Sequence, residues 1–90
     1  MKIYIIRSTG RKIYFSSLKK ATKFIVDNFV KTLTSHNEPN YFLSQWPNPK
    51  SWIDAEMYKV FEIHLDADET AIEIDKTKLH TLIDKCSKEI

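Results

Sequence analysis

The hydrophobic positions of the first fifteen residues follow the two-residue period of β-strands. Apolar and aromatic residues occupy both faces of residues 3–6, and a second short run ends at Phe15. Between the runs lies Ser8-Thr9-Gly10-Arg11, which contains the chain's only glycine. Because glycine reaches positive φ without a steric penalty, this position suits a tight turn. The pattern predicts a β-hairpin with strands over Lys2–Arg7 and Lys12–Phe15.

A helical period replaces the strand period after the hairpin. Apolar residues recur at helical spacing and form one stripe: Leu18, Ala21, Ile25, Phe29 and Leu33. Ser16 and Ser17 precede the stripe and supply N-cap oxygens. We therefore predict an amphipathic helix over residues 18–33. Its lysines fall on the side away from the stripe: Lys19, Lys20, Lys23 and Lys31.

The middle segment, residues 35–56, follows neither period. All three prolines lie here among asparagines, which predicts an irregular excursion in which Ser51 caps one short helical turn through Glu56. The segment is also rich in large rings: Tyr41, Phe42, Trp46 and Trp52. Such rings on a proline-stiffened loop resemble the anchors of a protein interface. Alternatively, they fold back and close the end of a small core.

The last third of the chain repeats the order of the first. From Met57 the period returns to two, and a second predicted strand, residues 70–74, follows the polar turn Asp66–Glu69. Asp75 is expected to cap a final helix. Its apolar positions recur at helical spacing: Leu79, Leu82, Ile83, Cys86 and Ile90.

These elements predict an α+β fold of one domain, residues 1–90, which is the size that a chain of this length allows. Two ββα halves, residues 1–34 and 57–90, flank the long excursion that contains the aromatic residues and the prolines. We expect the order ββα–ββα and a four-stranded antiparallel sheet with two helices on one of its faces.

Charge divides the chain unevenly. Residues 1–34 carry eight basic side chains and one acid, whereas residues 35–90 carry six lysines and eleven acids, so the net charges are +7 and −5. This asymmetry indicates either a basic face that meets an anionic partner or two halves that neutralise each other. Most of the basic residues are lysines, which suit a diffuse electrostatic surface better than bidentate contacts.

Two groups of candidate binding residues follow from these patterns. The helix lysines and the excursion rings are the predicted partner-binding residues: Lys19, Lys20, Lys23, Lys31, Tyr41, Trp46 and Trp52. A second, anion-binding group is predicted around the start of the first helix, where hydroxyls, amides and cations would converge: Arg11, Lys12, Ser16 and Ser17. Aromatic rings of the basic hairpin are also candidates for stacking nucleic-acid bases: Tyr4, Tyr14 and Phe15.

Catalytic chemistry has little support in the sequence. His36, His64 and His80 follow no metal-ligand spacing, and Cys86 is the only cysteine and lies on an apolar stripe. We therefore expect no enzyme activity, no metal and no cofactor. The chain has no apolar run long enough to span a bilayer and no signal-peptide core at its start, so we expect a cytoplasmic protein without a membrane partner.

The opening residues Met-Lys-Ile-Tyr-Ile-Ile-Arg-Ser and the later Ile-Tyr-Phe-Ser-Ser-Leu-Lys-Lys-Ala resemble the start of many small bacteriophage and mobile-element proteins. These proteins tend to begin with a hairpin followed by a Phe-Ser-Ser-x-Lys-Lys-Ala helix start. Some proteins of this class inhibit host defence, anti-CRISPR proteins among them. The resemblance covers about the first third of the chain and implies an inhibitor acting in the host cytoplasm. Its matching positions are structural, so no functional residue is carried over.

The hypothesis is a small non-catalytic binding protein of the phage inhibitor type. It would dock on a host protein, such as a defence or nucleic-acid-handling complex, through the helix lysines, the excursion or both. The alternative is a nucleic-acid- or nucleotide-binding regulator that uses the basic N-terminal half. Salt separates these two, because phosphate contacts weaken steeply as salt rises. A self-assembling protein is a third class, and the choice between monomer and homodimer stays open.

Overall fold

The computed structural model of the protein describes residues 2–64 and 71–88. Within these residues the chain forms four strands and four helices. In chain order they are β1 (Lys2–Ser8), β2 (Arg11–Phe15), α1 (Leu18–Ser35), α2 (Pro39–Gln45), α3 (Pro49–Asp54), β3 (Lys59–His64), β4 (Ala71–Glu73) and α4 (Lys76–Lys88). The predicted turn Asp66–Glu69 lies outside the described residues.

The predicted hairpin is confirmed. β1 and β2 pair antiparallel, and Ser8 lies opposite Arg11, so a two-residue turn joins the strands. Thr9 and Gly10 have φ angles of +42° and +81°. Two successive positive φ values are the signature of the type I′ turn, whose twist matches that of the strands. Gly10 adopts this conformation freely, whereas the β-branched Thr9 is strained in it.

α1 begins at Leu18 as predicted and continues to Ser35. Ser17 is its N-cap, because the Ser17 hydroxyl accepts a hydrogen bond from the Lys20 amide at 3.1 Å. The helix buries its stripe, and the buried Thr22 hydroxyl is satisfied by donating to the Leu18 carbonyl at 2.8 Å. Neither α1 nor another helix in the described part of the chain combines the length and apolar character needed to cross a membrane.

The prediction of an irregular excursion was wrong, because most of it is helical. Pro39 and Pro49 each stand at the first position of a short helix, α2 and α3. Proline suits this position, where its fixed φ is already helical and its missing N–H has no partner to lose. The cap of α3 is Asn48 and not Ser51, because the Asn48 side chain accepts a hydrogen bond from the Ser51 amide at 3.1 Å.

The strands form one sheet in the order β2-β1-β3-β4, and every neighbouring pair is antiparallel. The leading strands of the two predicted halves, β1 and β3, therefore pair at its centre. The predicted α+β class and four-stranded antiparallel sheet are confirmed. The predicted number of helices was wrong, since α2 and α3 add two helices to the two expected.

One side of the sheet packs into the larger of two cores. Ile6 and Val60 are fully buried there, next to Ile74. Helices α1, α3 and α4 contribute the other buried residues of this core: Ala21, Ile25, Val26, Ile53, Leu79, Ile83 and Cys86. The core thus joins both halves of the chain, and the burial of the Cys86 thiol agrees with its place on the apolar stripe of α4.

A second, aromatic core lies where the middle helices meet α1. Phe29, Phe42 and Trp52 form it, and the Phe29 ring lies 5.3 Å from Phe42 and 5.1 Å from Trp52, measured between centroids. Aromatic pairs in tilted and edge-on geometries at these distances are favourable beyond the area that they bury. The middle segment therefore folds back on α1 through these rings.

Candidate functional site

The sheet carries a second set of apolar side chains on the face away from the larger core. Successive side chains of a strand point to opposite faces, so the residues that alternate with Ile6 and Val60 lie on this side. We call it the outer face; its large apolar residues are Ile3, Ile5, Tyr14, Phe61 and Ile63, and the exposed Glu73 of β4 also lies on it, opposite Phe61. In the described parts of the chain, neither core includes any of these residues, but Ile5 is itself buried at 8% exposure and Ile3, Phe61 and Ile63 are half-buried. Tyr14 is 62% exposed.

On β3, the outer face is the more apolar of the two faces of the sheet. On β3, Phe61 and Ile63 point outward, whereas Glu62 and His64 share the covered side with Val60. An apolar surface that stays partly exposed is unfavourable for a free protein and is typical of an interaction site.

Three basic residues stand side by side at one end of the outer face. Arg7 of β1 lies directly opposite Lys12 of β2 and also opposite Lys59 of β3. All three side chains are exposed, and we call them the basic row. Like charges directly opposite each other on neighbouring strands destabilise a sheet, so sheet stability does not favour this arrangement.

Arg7 connects the basic row to an aromatic ring. Its guanidinium carbon lies 5.4 Å from the centroid of the Phe61 ring, within the range of a cation–π contact. The contact holds the guanidinium over an apolar part of the outer face. Both a ring and a guanidinium plane are surfaces on which a base stacks.

A surface cavity of about 400 Å³ adjoins the basic row at the β1–β2 turn. The basic row lines it together with Arg11, and its acidic lining residue is Glu56. Glu56 has a cation of its own, since its Oε1 lies 3.4 Å from Lys76 Nζ. In the described residues no ion pair neutralises the four basic residues, so the cavity is electropositive.

The predicted anion-binding residues are not all brought together. Arg11 and Lys12 lie at the turn end of β2, whereas Ser16 and Ser17 follow its other end. At about 3.3 Å per residue, the five-residue strand separates the two pairs by about 16 Å. The serines instead serve α1, with Ser17 as its cap and Ser16 accepting from Lys20 Nζ at 3.2 Å.

The predicted lysine face of α1 is exposed: Lys19, Lys20, Lys23 and Lys31. Within the described residues, the acidic C-terminal half places no carboxylate in an ion pair with Lys20, Lys23 or Lys31. Among the described residues, an ion pair that joins the two halves lies elsewhere, between Lys2 Nζ and Glu62 Oε1 at 3.4 Å. Lys20, Lys23 and Lys31 therefore leave a positive surface on the described part of α1.

The excursion rings divide between core and surface. Trp52 is 5% exposed, so its predicted role as a partner-binding residue is corrected: it is a core residue, held between Phe29, Phe42 and Tyr58. Trp46 packs against the same aromatic core and is partly exposed. Tyr41 lies at the surface and is 57% exposed.

The rings predicted to stack bases also separate. Tyr4 and Phe15 lie opposite each other on the covered face and pack against the larger core, which removes them as stacking candidates. Tyr14 alternates onto the outer face, next to Ile5. Phe61 joins it on that face and was missed by the sequence analysis, although its alternation with Val60 and Glu62 was visible.

A polar cluster lies at the other end of the central strand pair. Tyr4 donates a hydrogen bond to Glu62 at 3.1 Å, and Lys2 and His64 also contact this carboxylate, at 3.4 and 3.3 Å. The His64 contact does most to hold the pKa of Glu62 below its ordinary 4.5; partial burial opposes this, and Tyr4 and Lys2 add to the lowering. Burial and Glu62 raise the pKa of Tyr4 above 10.0.

Glu62 should make stability depend on pH on the acid side. A carboxyl whose pKa is lower in the folded chain contributes stability above its unfolded pKa, and this contribution is lost as pH falls through the folded value. We expect Glu62→Gln to lose less unfolding free energy between pH 7 and pH 3 than the parent protein, measured by urea denaturation. Glu73→Gln, at an exposed carboxylate on β4, is the control and should behave as the parent. An equal acid loss in parent and Glu62→Gln would contradict the prediction.

The histidines lie in three separate places. His64 contacts Glu62, His80 Nε2 lies 2.9 Å from Asp54 Oδ1, and the His36 ring packs 5.4 Å from Phe42. Among the residues that the structure describes, no group of three or more His, Cys, Asp or Glu side chains is arranged to hold a metal ion.

The outer face with its basic row and the adjoining cavity is the strongest candidate site in the described chain. On one side of the sheet it combines partly exposed rings, an apolar surface and, at one end, three cations that no described ion pair neutralises; Glu73 is the acid on this side. Comparisons with protein-family models, with curated proteins and with solved structures found no match.

Proposed function

We propose that the protein is a non-catalytic binding protein whose outer face binds single-stranded nucleic acid. The observation that carries the proposal is the basic row, three cations paired across three strands beside the exposed Tyr14 ring. Nucleic acid was the alternative in the sequence analysis, which placed it on the basic N-terminal half. Here Lys59 of the second half completes the surface.

Charge complementarity favours an anionic occupant. The mutual repulsion within the basic row is unfavourable in the free protein and is relieved when phosphates lie among the cations. Lys12 and Lys59 are point charges on flexible stems, which suit phosphates in varied positions. Such contacts position a nucleic acid without reading its sequence, so we propose little sequence preference.

The rings favour unpaired bases. A base stacks on an aromatic side chain only when its own face is free, as in a single strand. Tyr14 offers an exposed ring, and Phe61 with the Arg7 guanidinium offers a second platform on the same face. A duplex, in contrast, is read by a helix or a narrow strand ribbon that enters its major groove. A broad sheet face suits the single strand better.

Replacing Tyr14 by alanine should weaken binding of a single-stranded oligothymidylate about tenfold, since one stacked base contributes about 1–3 kcal/mol. Fluorescence anisotropy with a labelled oligonucleotide measures the affinity. A duplex of the same length should bind more weakly than the single strand. The affinity of the parent protein should fall steeply as salt is raised.

Tyr41→Ala is a matched control, because this tyrosine is similarly exposed but lies on α2. It should leave the affinity for the oligonucleotide unchanged. Equal weakening by the two substitutions, or no binding by the parent protein at low salt, would contradict the proposed function.

A second candidate function is the inhibitor of a host protein suggested by the sequence. The specific observation in its favour is the exposure of Tyr41 at 57%, together with the uncompensated Lys20, Lys23 and Lys31 of α1. An interface anchored there would depend on Tyr41 and not on Tyr14. Capture of a host protein that survives nuclease treatment and is lost in Tyr41→Ala would favour this function over the first.

A further inference from the structure

The charge of the outer face is concentrated at one end. Lys12, Arg7 and Lys59 form one row across the sheet. At the other end of the face, Ile3 of β1 lies opposite Ile63 of β3, and this row is apolar. A groove that follows a nucleic-acid backbone needs cations spaced along its length. The outer face instead offers no cation along the rest of its length, where apolar residues and Glu73 lie, and a cluster of cations at the β1–β2 turn.

The cavity at that end adds Arg11 to the cluster. Four basic residues thus line one space of about 400 Å³ at the end of the sheet, with Arg11 at the strand position that alternates with Lys12, and the Glu56 carboxylate in its lining is paired with Lys76. An internal phosphodiester carries one negative charge, whereas a phosphomonoester carries about −1.5 to −2 at pH 7 and has three strong acceptor oxygens. Such a concentration of cations suits the more highly charged group.

We propose that this cavity binds the terminal phosphate of a single strand, so that the protein recognises a phosphorylated nucleic-acid end. The inference rests on the proposed function and adds which part of the bound strand, its phosphorylated end, lies at the β1–β2 turn. Arginine supplies the forked donors that match phosphate oxygens, and both arginines of the chain, Arg7 and Arg11, line this cavity.

The spacing along β2 supports this placement. Lys12 and Tyr14 lie two residues apart on the same face, about 7 Å along the strand. A phosphate held at Lys12 therefore leaves the base of the same terminal nucleotide within reach of the Tyr14 ring. The next base lies toward Ile5 and Phe61, across the face.

The turn itself fixes the position of Arg11. Thr9 and Gly10 form a two-residue type I′ turn, and Arg11 is the first residue of β2, paired with Ser8. Thr9, whose positive φ is strained, also lines the cavity. Strain of this kind is often found where a loop holds a binding geometry.

The test compares three oligothymidylates of about ten nucleotides, within the usual site size of single-strand binders. One has a 5′-phosphate, one a 3′-phosphate and one hydroxyl groups at both ends. We expect one of the two phosphorylated strands to bind about tenfold more tightly than the hydroxyl-ended strand. This is the factor that one charge-assisted hydrogen bond contributes. In Arg11→Ala this preference should disappear, while the hydroxyl-ended strand still binds.

Lys23→Ala is the control, since it removes an exposed cation on α1 and should keep the preference. Equal affinity for all three strands in the parent protein would overturn the inference and leave the proposed function intact. No binding of any strand would overturn both. A preference that survives in Arg11→Ala would place the terminal phosphate outside this cavity and would also overturn the inference.

Discussion

Replacing Trp52 by alanine is expected to lower the free energy of unfolding by about 3–5 kcal/mol. The Trp52 ring is 5% exposed and lies 5.1 Å from Phe29 and 5.5 Å from Tyr58, measured between centroids. Its removal would leave a cavity where α1, α2 and α3 meet. Domains of this size are stable by about 5–15 kcal/mol, so the loss is a large fraction of the total. Urea denaturation followed by circular dichroism measures it.

Two further variants serve as comparisons for the stability loss of Trp52→Ala. Trp52→Phe keeps a ring in the aromatic core, and the indole Nε1 has no hydrogen-bond partner in the described residues, so we expect a much smaller loss than for alanine. Tyr41→Ala removes a surface ring and should change stability by less than about 0.5 kcal/mol. If Trp52→Ala unfolded like the parent, the ring would belong to a surface and not to a core.

The double variant Lys12→Glu with Lys59→Glu should change stability and binding in opposite directions. Each substitution replaces a like-charge pair with Arg7 by an opposite-charge pair, so we expect the free energy of unfolding to rise by about 1 kcal/mol. Binding of a single-stranded oligonucleotide should fall about a hundredfold, because two phosphate contacts are lost and two repulsive charges are gained. Denaturation and anisotropy titrations on the same protein measure both effects.

The matched control is Lys23→Glu with Lys31→Glu, which makes the same change in net charge on α1. At physiological salt, charge interactions are screened beyond about 8 Å, so the affinity should stay near that of the parent. Equal loss of affinity in the two double variants would mean that net charge, and not the outer face, drives binding. A destabilised Lys12→Glu with Lys59→Glu protein would contradict the repulsion attributed to the basic row.

The elements predicted well are those with a local cause. The β1–β2 turn follows from the single glycine, since few other residues tolerate φ of +81°. α1 begins where Ser17 supplies a side-chain acceptor, and Asp75 similarly accepts from the Thr77 amide at 3.3 Å before α4. In each case the cause lies within a few residues of the effect.

The middle segment was mispredicted because proline has opposite effects at the two ends of a helix. Pro39 and Pro49 break a helix that precedes them but favour one that begins with them. The outcome here depends on burial of Phe42 and Trp52 against Phe29, a residue well before both in the chain. That contact is tertiary, so a local pattern of prolines and asparagines does not determine it.

The candidate site was predicted only in part. Arg11, Lys12 and Tyr14 were among the sequence candidates, and they remain in the site. Arg7 and Lys59 were not singled out, because only the register of β1 with β3 places them side by side. Tyr4 and Phe15 were candidates for stacking until packing against the larger core removed them.

By itself, the sequence determined the four strands, the helices α1 and α4, the position of the first turn and the excess of positive charge in the first third, but not α2 and α3. Only the tertiary structure decided which side of the sheet the helices cover. β1 carries isoleucine on both faces, Ile5 on one and Ile6 on the other, so its pattern is compatible with either choice. The choice was made by the packing of Ile25, Ile53 and Ile83 against Ile6 and Val60, which leaves Tyr14 and the basic row on the outer face.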